Sequence, residues 1–292
     1  MSLTRLGCTH RFLDLAHQGR WGGKFYLASL LLLWLLLLPL HLLSLPASAS
    51  SESFQAKLHP YLSQMLPFAV LLLGLVIALR WIHHRPFLTL ITPNPQICYG
   101  RIAQGFWIWL WLLSTPFLLQ FVANRSTVYL SFQLLQWLRF LPIVLTGTLL
   151  QATTEELLLR GYCLQGIGQL TRNRALLISL SGLLFAIAHV GNPEVDAGHH
   201  PAWAFCYYFA CGSFAALITL ADNTLELAIG WHIANNLFVS LLLQPAISIL
   251  ETPTIWRSSQ PFNFQTGLAL LIIQAALFLT STRRLMGVQI FR

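Results

Sequence analysis

Long apolar runs, almost free of charge, constrain this 292-residue chain more than any other feature. Stretches such as Phe25 to Leu45, Leu66 to Ile82 and Ile102 to Ala123 are long enough to cross a hydrocarbon core of about 30 Å as helices. Backbone polar groups inside lipid must be satisfied within the segment, and the period-2 alternation of a membrane barrel is absent, so helices are the expected form. Composition agrees, with 56% of residues hydrophobic and 9% charged, a balance foreign to water-soluble domains. The chain reads as an all-α, polytopic membrane helix bundle in contact with the lipid bilayer.

The apolar segments fall at roughly 25–45, 65–82, 102–123, 128–145, 147–168, 175–191, 202–220, 225–244 and 263–281, one more than the about eight transmembrane helices expected. The doubtful pair spans 128–168. Arg139 and Pro142 interrupt "FQLLQWLRFLP", so Val128 to Phe140 reads as a re-entrant or interfacial helix leading into one long helix. No internal repeat is evident, and a single bundle is the economical reading. Its expected parts are a basic cytoplasmic segment (1–24), N-terminal transmembrane helices (25–127), a core carrying the polar motifs (128–244), and a last helix with a basic C-terminus (245–292).

Lys and Arg placement gives an orientation. Arg5, Arg11, Arg20 and Lys24 precede the first span, Arg80, Arg85 and Arg101 separate the second from the third, Arg172 and Arg174 follow residue 168, and Arg283, Arg284 and Arg292 close the chain. The alternate loops carry few cations, among them Lys57, Arg125 and Arg257. By the positive-inside rule both termini of this multi-pass protein are expected in the cytoplasm, and its compact size without soluble domains points to a prokaryotic plasma membrane. The net charge of +8 then serves topology, and nucleic acid is not an expected partner.

"LPASAS" after the first span resembles a signal-peptidase site, but the basic leader and apolar run are longer than a signal peptide, so an uncleaved anchor is expected. The five cysteines, Cys8, Cys98, Cys163, Cys206 and Cys211, form no C-x-x-C pair and read as small apolar residues.

Against this background, "TTEELLLRG" stands out, because only nine residues of the chain are acidic and two of them are adjacent here. An ionisable group within a membrane is a functional candidate by default. Helix spacing separates the two carboxylates. Glu156 and Arg160 are four apart and share a face, with the acid on the favourable N-terminal side, whereas Glu155 points about 100° away and has no charged partner on its own helix. Glu156 and Arg160 thus read as a brace and Glu155 as an available base. Phe185 and His189 are likewise four apart, allowing ring stacking, as are His232 and Asn236, which present two hydrogen-bonding groups together. Glu155, His189 and Asn236 come at comparable depths, roughly 16 to 21 Å from the cytoplasmic ends of their helices, and could meet in one pocket open to that side. Asn235 is expected to pack elsewhere, and Asp222 and Glu226 to serve a turn or cap around "DN". Glu194, Asp196, His199 and His200 share an outer loop whose spacing is a poor match to a metal site.

"EELLLR" (Glu155 to Arg160), "FAIAH" (Phe185 to His189) and "HIANN" (His232 to Asn236) resemble, in order, the E-E-x-x-x-R, F-x-x-x-H and H-x-x-x-N signatures of the CAAX protease and bacteriocin-processing (CPBP/Abi) family. These are intramembrane glutamic endopeptidases related to the CAAX prenyl endopeptidase. The resemblance covers Thr146 to Leu243. It implies that Glu155 and His189 activate a water, that His232 and Asn236 form an oxyanion hole, and that Glu156, Arg160 and Phe185 support the site. The expected partner is a peptide or membrane-protein substrate, possibly lipidated. No cofactor and no metal are expected, since an asparagine and a paired glutamate make poor zinc ligands. The chain lacks the H-E-x-x-H, G-x-S-G and G-x-G-D motifs of other intramembrane proteases. The alternative is a non-catalytic transporter or scaffold that uses the Glu and His groups as a proton relay or binding site, although paired broken helices in matching halves are missing.

Overall fold

The apolar runs fold as helices laid side by side, each satisfying its own backbone, in a computed structural model that describes residues 12–42, 54–123, 127–197 and 200–286. After a short 3-10 turn, Phe12–Gln18, come α1 (Gly23–Leu42), α2 (Phe54–His83), α3 (Tyr99–Ala123), α4 (Leu134–Ile167), α5 (Arg174–Ala188), the short α6 (Pro193–Ala197), α7 (Pro201–Asp222), α8 (Glu226–Leu237) and α9 (Phe264–Met286). Six of these, α1, α2, α3, α4, α7 and α9, are long and apolar enough to cross a membrane. The shorter α5 and α8 stand among them, completing the expected all-α bundle. "LPASAS", Arg5, Arg11, Arg125, His199 and Arg292 lie outside the described residues.

Three local expectations are corrected. The doubtful pair is one continuous helix from Leu134, preceded by a strand rather than an interfacial helix. Pro142 sits inside it, and Thr146 Oγ1 donates to the Pro142 carbonyl at 2.8 Å. A proline's missing N–H is tolerated in membrane helices where nearby hydroxyls and packing compensate. Helix α5 stops at Ala188, short of the expected residue 191, because Gly191, Asn192 and Pro193 follow and the residue before a proline avoids the helical region. A small sheet also forms among the loops, from β1 (Val128–Leu130), β2 (Leu243–Gln244) and β3 (Trp256–Ser258) in the order β1-β3-β2. Tyr129 pairs with Arg257 in the antiparallel ladder, and Arg257 Nη2 donates to Gln244 Oε1 at 2.9 Å.

Close backbone approach fixes the helices that matter for the site. Helix α5 meets α7 at Gly182 and Gly212: a Cβ on Gly212 would lie 2.6 Å from Phe185 Cβ and 2.9 Å from Gly182 Cα. Helix α3 meets α8 the same way, since a Cβ on Gly230 would overlap the Ile102 carbonyl. Small residues at such crossings let membrane helices gain van der Waals contact where no hydrophobic force acts between them. Trp109, Phe214, Trp231 and Phe278 interlock α3, α7, α8 and α9, with centroids 5.5 to 5.9 Å apart.

At the end of the bundle rich in basic residues, polar contacts tie the helix ends together. His83 Nδ1 donates to the Arg20 carbonyl at 2.8 Å and its Nε2 accepts from Tyr162 Oη at 2.8 Å. Asp14 pairs with Arg172 at 2.7 Å, and Arg101 pairs with Asp222. Asn223 adopts a left-handed φ of 61° and its Oδ1 accepts from the Phe12 amide at 2.7 Å, while Glu226 Oε1 accepts from the Cys98 amide at 2.7 Å. Asp222, Asn223 and Glu226 therefore organise the α7–α8 turn.

Candidate active site

Helix α4 carries both adjacent carboxylates into the bundle, and directly after Glu156 its hydrogen bonding widens into a π-helical turn, Leu157–Cys163. Such turns are rare and cluster at functional sites. Arg160 Nη1 donates to Glu156 Oε1 at 2.8 Å, with both side chains fully buried. Arg160 Nη2 donates to the Gly212 carbonyl at 3.1 Å, and its guanidinium lies over the Phe185 ring at 4.7 Å. The Gly182–Gly212 crossing brings that carbonyl within reach, so helix packing supplies the second ligand of the arginine.

A second helix completes the arrangement. His232, on α8, donates through Nδ1 to Glu156 Oε1 at 2.8 Å, so this one oxygen takes hydrogen bonds from an arginine and a histidine. The opposite ring nitrogen, Nε2, lies 3.8 Å from Glu155 Oε2. That distance is beyond a hydrogen bond and leaves the Glu155 side chain, 14% exposed, as the accessible carboxylate of the pair. The two carboxylates thus differ in surroundings as helix spacing predicts, with the addition that both face one imidazole from another helix.

His189 caps α5 rather than lying within it. Its Nδ1 donates to the Phe185 carbonyl at 2.8 Å, which sets the neutral tautomer and leaves the Nε2 lone pair free. Phe185 stacks on one face of the ring at 4.2 Å, and Tyr208 of α7 stacks on the other at 4.4 Å. Glu155 and His232 both lie within electrostatic reach of His189. Phe185 also meets His232 edge-on at 6.0 Å, so one phenyl ring contacts both histidines and Arg160.

Asn236 is one helical turn beyond His232. Its Oδ1 accepts from Asn235 Nδ2 at 3.2 Å, and Asn235 Oδ1 accepts from Trp109 Nε1 at 3.4 Å. This short chain orients the Asn236 amide with Nδ2 left as donor. A π-helical turn, Phe238–Leu242, follows here as well.

The structure gathers Glu155, Glu156, Arg160, Phe185, His189 and His232 through direct contacts, and Asn236 through its helix. Sequence reasoning passed over Tyr208 and Trp109. A usable signal for Tyr208 was its position four residues before Gly212, hence on the α7 face that meets α5. Glu194 stands in a different role from metal ligation, accepting from Tyr208 Oη and Asn192 Nδ2, each at 3.1 Å. Among the described residues, no three His, Cys, Asp or Glu side chains are grouped to hold a metal ion.

Comparisons with known proteins bear on the same segment. Residues 136–238 match the profile described as type II CAAX prenyl endopeptidase Rce1-like. A curated relative, the uncharacterized protein YyaK of Bacillus subtilis (strain 168), is 32% identical over 190 residues, or 65% of this chain. The match spans 62% of that relative's length. No solved structure matches the chain significantly. The matched segment contains all three polar motifs, and over residues 136–238 the chain is similar to the type II CAAX prenyl endopeptidase Rce1-like family.

Proposed function

We propose that this protein is an intramembrane glutamic endopeptidase that hydrolyses peptide bonds of membrane-associated or lipidated substrates. The observation that carries the reading is the separation of two adjacent carboxylates. Glu156 is consumed by Arg160 and His232, while Glu155 faces His232 Nε2 across 3.8 Å with no closer ion pair among the described residues.

In this reading a water off the line between Glu155 and the imidazoles gives a proton to the Glu155 carboxylate and hydrogen-bonds to His189 Nε2. The resulting hydroxide attacks the scissile carbonyl carbon, and the carbonyl oxygen takes the negative charge. Asn236 Nδ2 and His232 Nε2–H donate to that oxygen, the type of stabilisation whose loss costs about 3–4 kcal/mol of barrier. Because His232 Nδ1 already donates to Glu156, donation through Nε2 requires the doubly protonated ring. The C–N bond then breaks as protonated Glu155 returns its proton to the leaving amine. Glu156, Arg160 and Phe185 hold the two histidines in place throughout.

The charge pattern supports an orientation with both termini and the mouth of the site on the cytoplasmic side; Arg20, Lys24, Arg80, Arg172 and Arg174 all lie at one end of the bundle. Comparative membrane proteomics of cells carrying wild type or Glu155→Gln tests the function. At least one membrane protein should accumulate uncleaved in the variant, and identical membrane proteomes would overturn the reading.

A further inference from the structure

His189 lies past the last residue of α5, where its amide bonds to the Ala186 carbonyl at 3.1 Å in a tight three-residue turn. Helical backbone therefore does not fix its side chain. One ring hydrogen bond, from Nδ1 to the Phe185 carbonyl, sets the tautomer but leaves the imidazole able to swing about that bond. Two aromatic faces remove this freedom: Phe185 from its own helix, at an interplanar angle of 30°, and Tyr208 from α7, at 25°.

Tyr208 is itself held at a fixed height. Its hydroxyl donates to Glu194 Oε1 at 3.1 Å, and Asn192 Nδ2 donates to the same oxygen at 3.1 Å. Glu194 belongs to α6, the short helix reached from His189 through Asn192, whose own amide donates to the His189 carbonyl at 3.1 Å. The loop after the histidine thus folds back and supplies the carboxylate that anchors the ring stacked on it. On the far side, Phe264 of α9 packs against Tyr208 at 5.9 Å and Tyr207 meets it at 5.6 Å. The second oxygen of Glu194, Oε2, is buried without a hydrogen-bond partner among the described residues, a cost that its anchoring of Tyr208 and Asn192 offsets.

We infer that Tyr208, anchored by Glu194, is a positioning residue for His189 that holds the imidazole in plane for water activation. This inference rests on the proposed role of His189. Misplacement of a catalytic group by about 1 Å can cost on the order of 100-fold in rate, so a positioning residue should act on turnover more than on substrate binding.

The test uses full-length protein in detergent and, as substrate, the purified membrane protein that accumulates in Glu155→Gln cells. Tyr208→Ala should lower kcat roughly 30-fold with KM changed less than about twofold. Tyr208→Phe keeps the stacking ring and should restore most of the loss, leaving kcat about two- to fivefold below wild type. Glu194→Ala removes the Tyr208 hydrogen bond together with the one from Asn192, so its kcat should fall at least as far as that of Tyr208→Phe, and the double variant should fall no further than Glu194→Ala alone. If Tyr208→Ala does not fold, the Phe and Glu194 cycle alone decides. Wild-type kcat in Glu194→Ala, or additive losses in the double variant, would overturn the inference while Glu155→Gln remains inactive. Cleavage by Glu155→Gln at the wild-type rate would instead overturn the mechanism beneath it.

Discussion

The imidazole of His232 stands between the two adjacent carboxylates of α4, with Nδ1 2.8 Å from Glu156 Oε1 and Nε2 3.8 Å from Glu155 Oε2. The first contact is a charge-capable hydrogen bond inside a fully buried network and the second is an open gap. In the proposed mechanism this asymmetry separates support from chemistry, and it makes the substitutions of neighbouring residues distinguishable.

Glu156→Gln should destabilise the protein far more than Glu155→Gln. Removing the Glu156 charge leaves Arg160 buried with no counter-charge, a change that typically costs about 3–5 kcal/mol. Glu155 has no hydrogen bond as short and is partly exposed, so its amide should cost less than about 1 kcal/mol. Thermal unfolding in detergent measures both, and the reverse order would contradict the pairing.

Arg160→Lys should not be tolerated. The guanidinium reaches Glu156, the Gly212 carbonyl and the Phe185 ring at once, and an ammonium on a flexible stem cannot reproduce that planar geometry. Losing one hydrogen bond to a charged group implies a cost of about 1.5–3 kcal/mol, read as a lowered midpoint of unfolding together with slower cleavage. A variant equal to wild type in both would show that the carbonyl contact contributes nothing.

Gly212→Ala tests the helix crossing on which the site depends. Its added methyl would lie 2.6 Å from Phe185 Cβ, so α5 must move and carry Phe185 and His189 with it. Overpacking of this kind costs about 1–3 kcal/mol, and cleavage should fall with it. Gly191→Ala is the matched control, because a Cβ there meets nothing within 4 Å and should leave stability within about 0.5 kcal/mol of wild type.

Strong chelation should leave cleavage unchanged. Glu156 Oε1 is taken by Arg160 and His232, and His189 Nδ1 by a carbonyl, so in the proposed mechanism Glu155 and His189 Nε2 remain as open donors, fewer than the three protein ligands of a catalytic zinc site. Activity after prolonged treatment with a high-affinity chelator provides the check, and a stoichiometric zinc bound at Glu155 and His189 would contradict it.

What the sequence made legible follows a physical boundary. Helix geometry alone joins Glu156 to Arg160, and the same spacing foresees the Phe185–His189 stack although His189 is the capping residue just past α5. The Glu156–His232 bond links residues 76 apart, and Tyr208 reaches His189 only because Gly182 and Gly212 let α5 and α7 close on each other. Contacts of this kind depend on which helices pack and at what height, which hydropathy does not encode. The same limit explains the boundaries. Hydropathy marked the apolar runs, but it carried Val128 into a helix where "VYL" pairs with Trp256–Ser258, and it ran α5 past His189 because Val190 is apolar while the turn is dictated by Gly191, Asn192 and Pro193. Pro142 misled in the opposite sense, suggesting a break where the helix continues.

The central claim is that Glu155 is the base. It is tested most directly by the single-turnover rate of peptide-bond cleavage by purified Glu155→Gln in detergent, compared with wild type at equal thermal stability. General-base catalysis contributes about 10²- to 10⁴-fold, so the variant should be slower by at least about 100-fold while remaining folded. A folded Glu155→Gln protein that cleaves within about threefold of the wild-type rate would contradict the account.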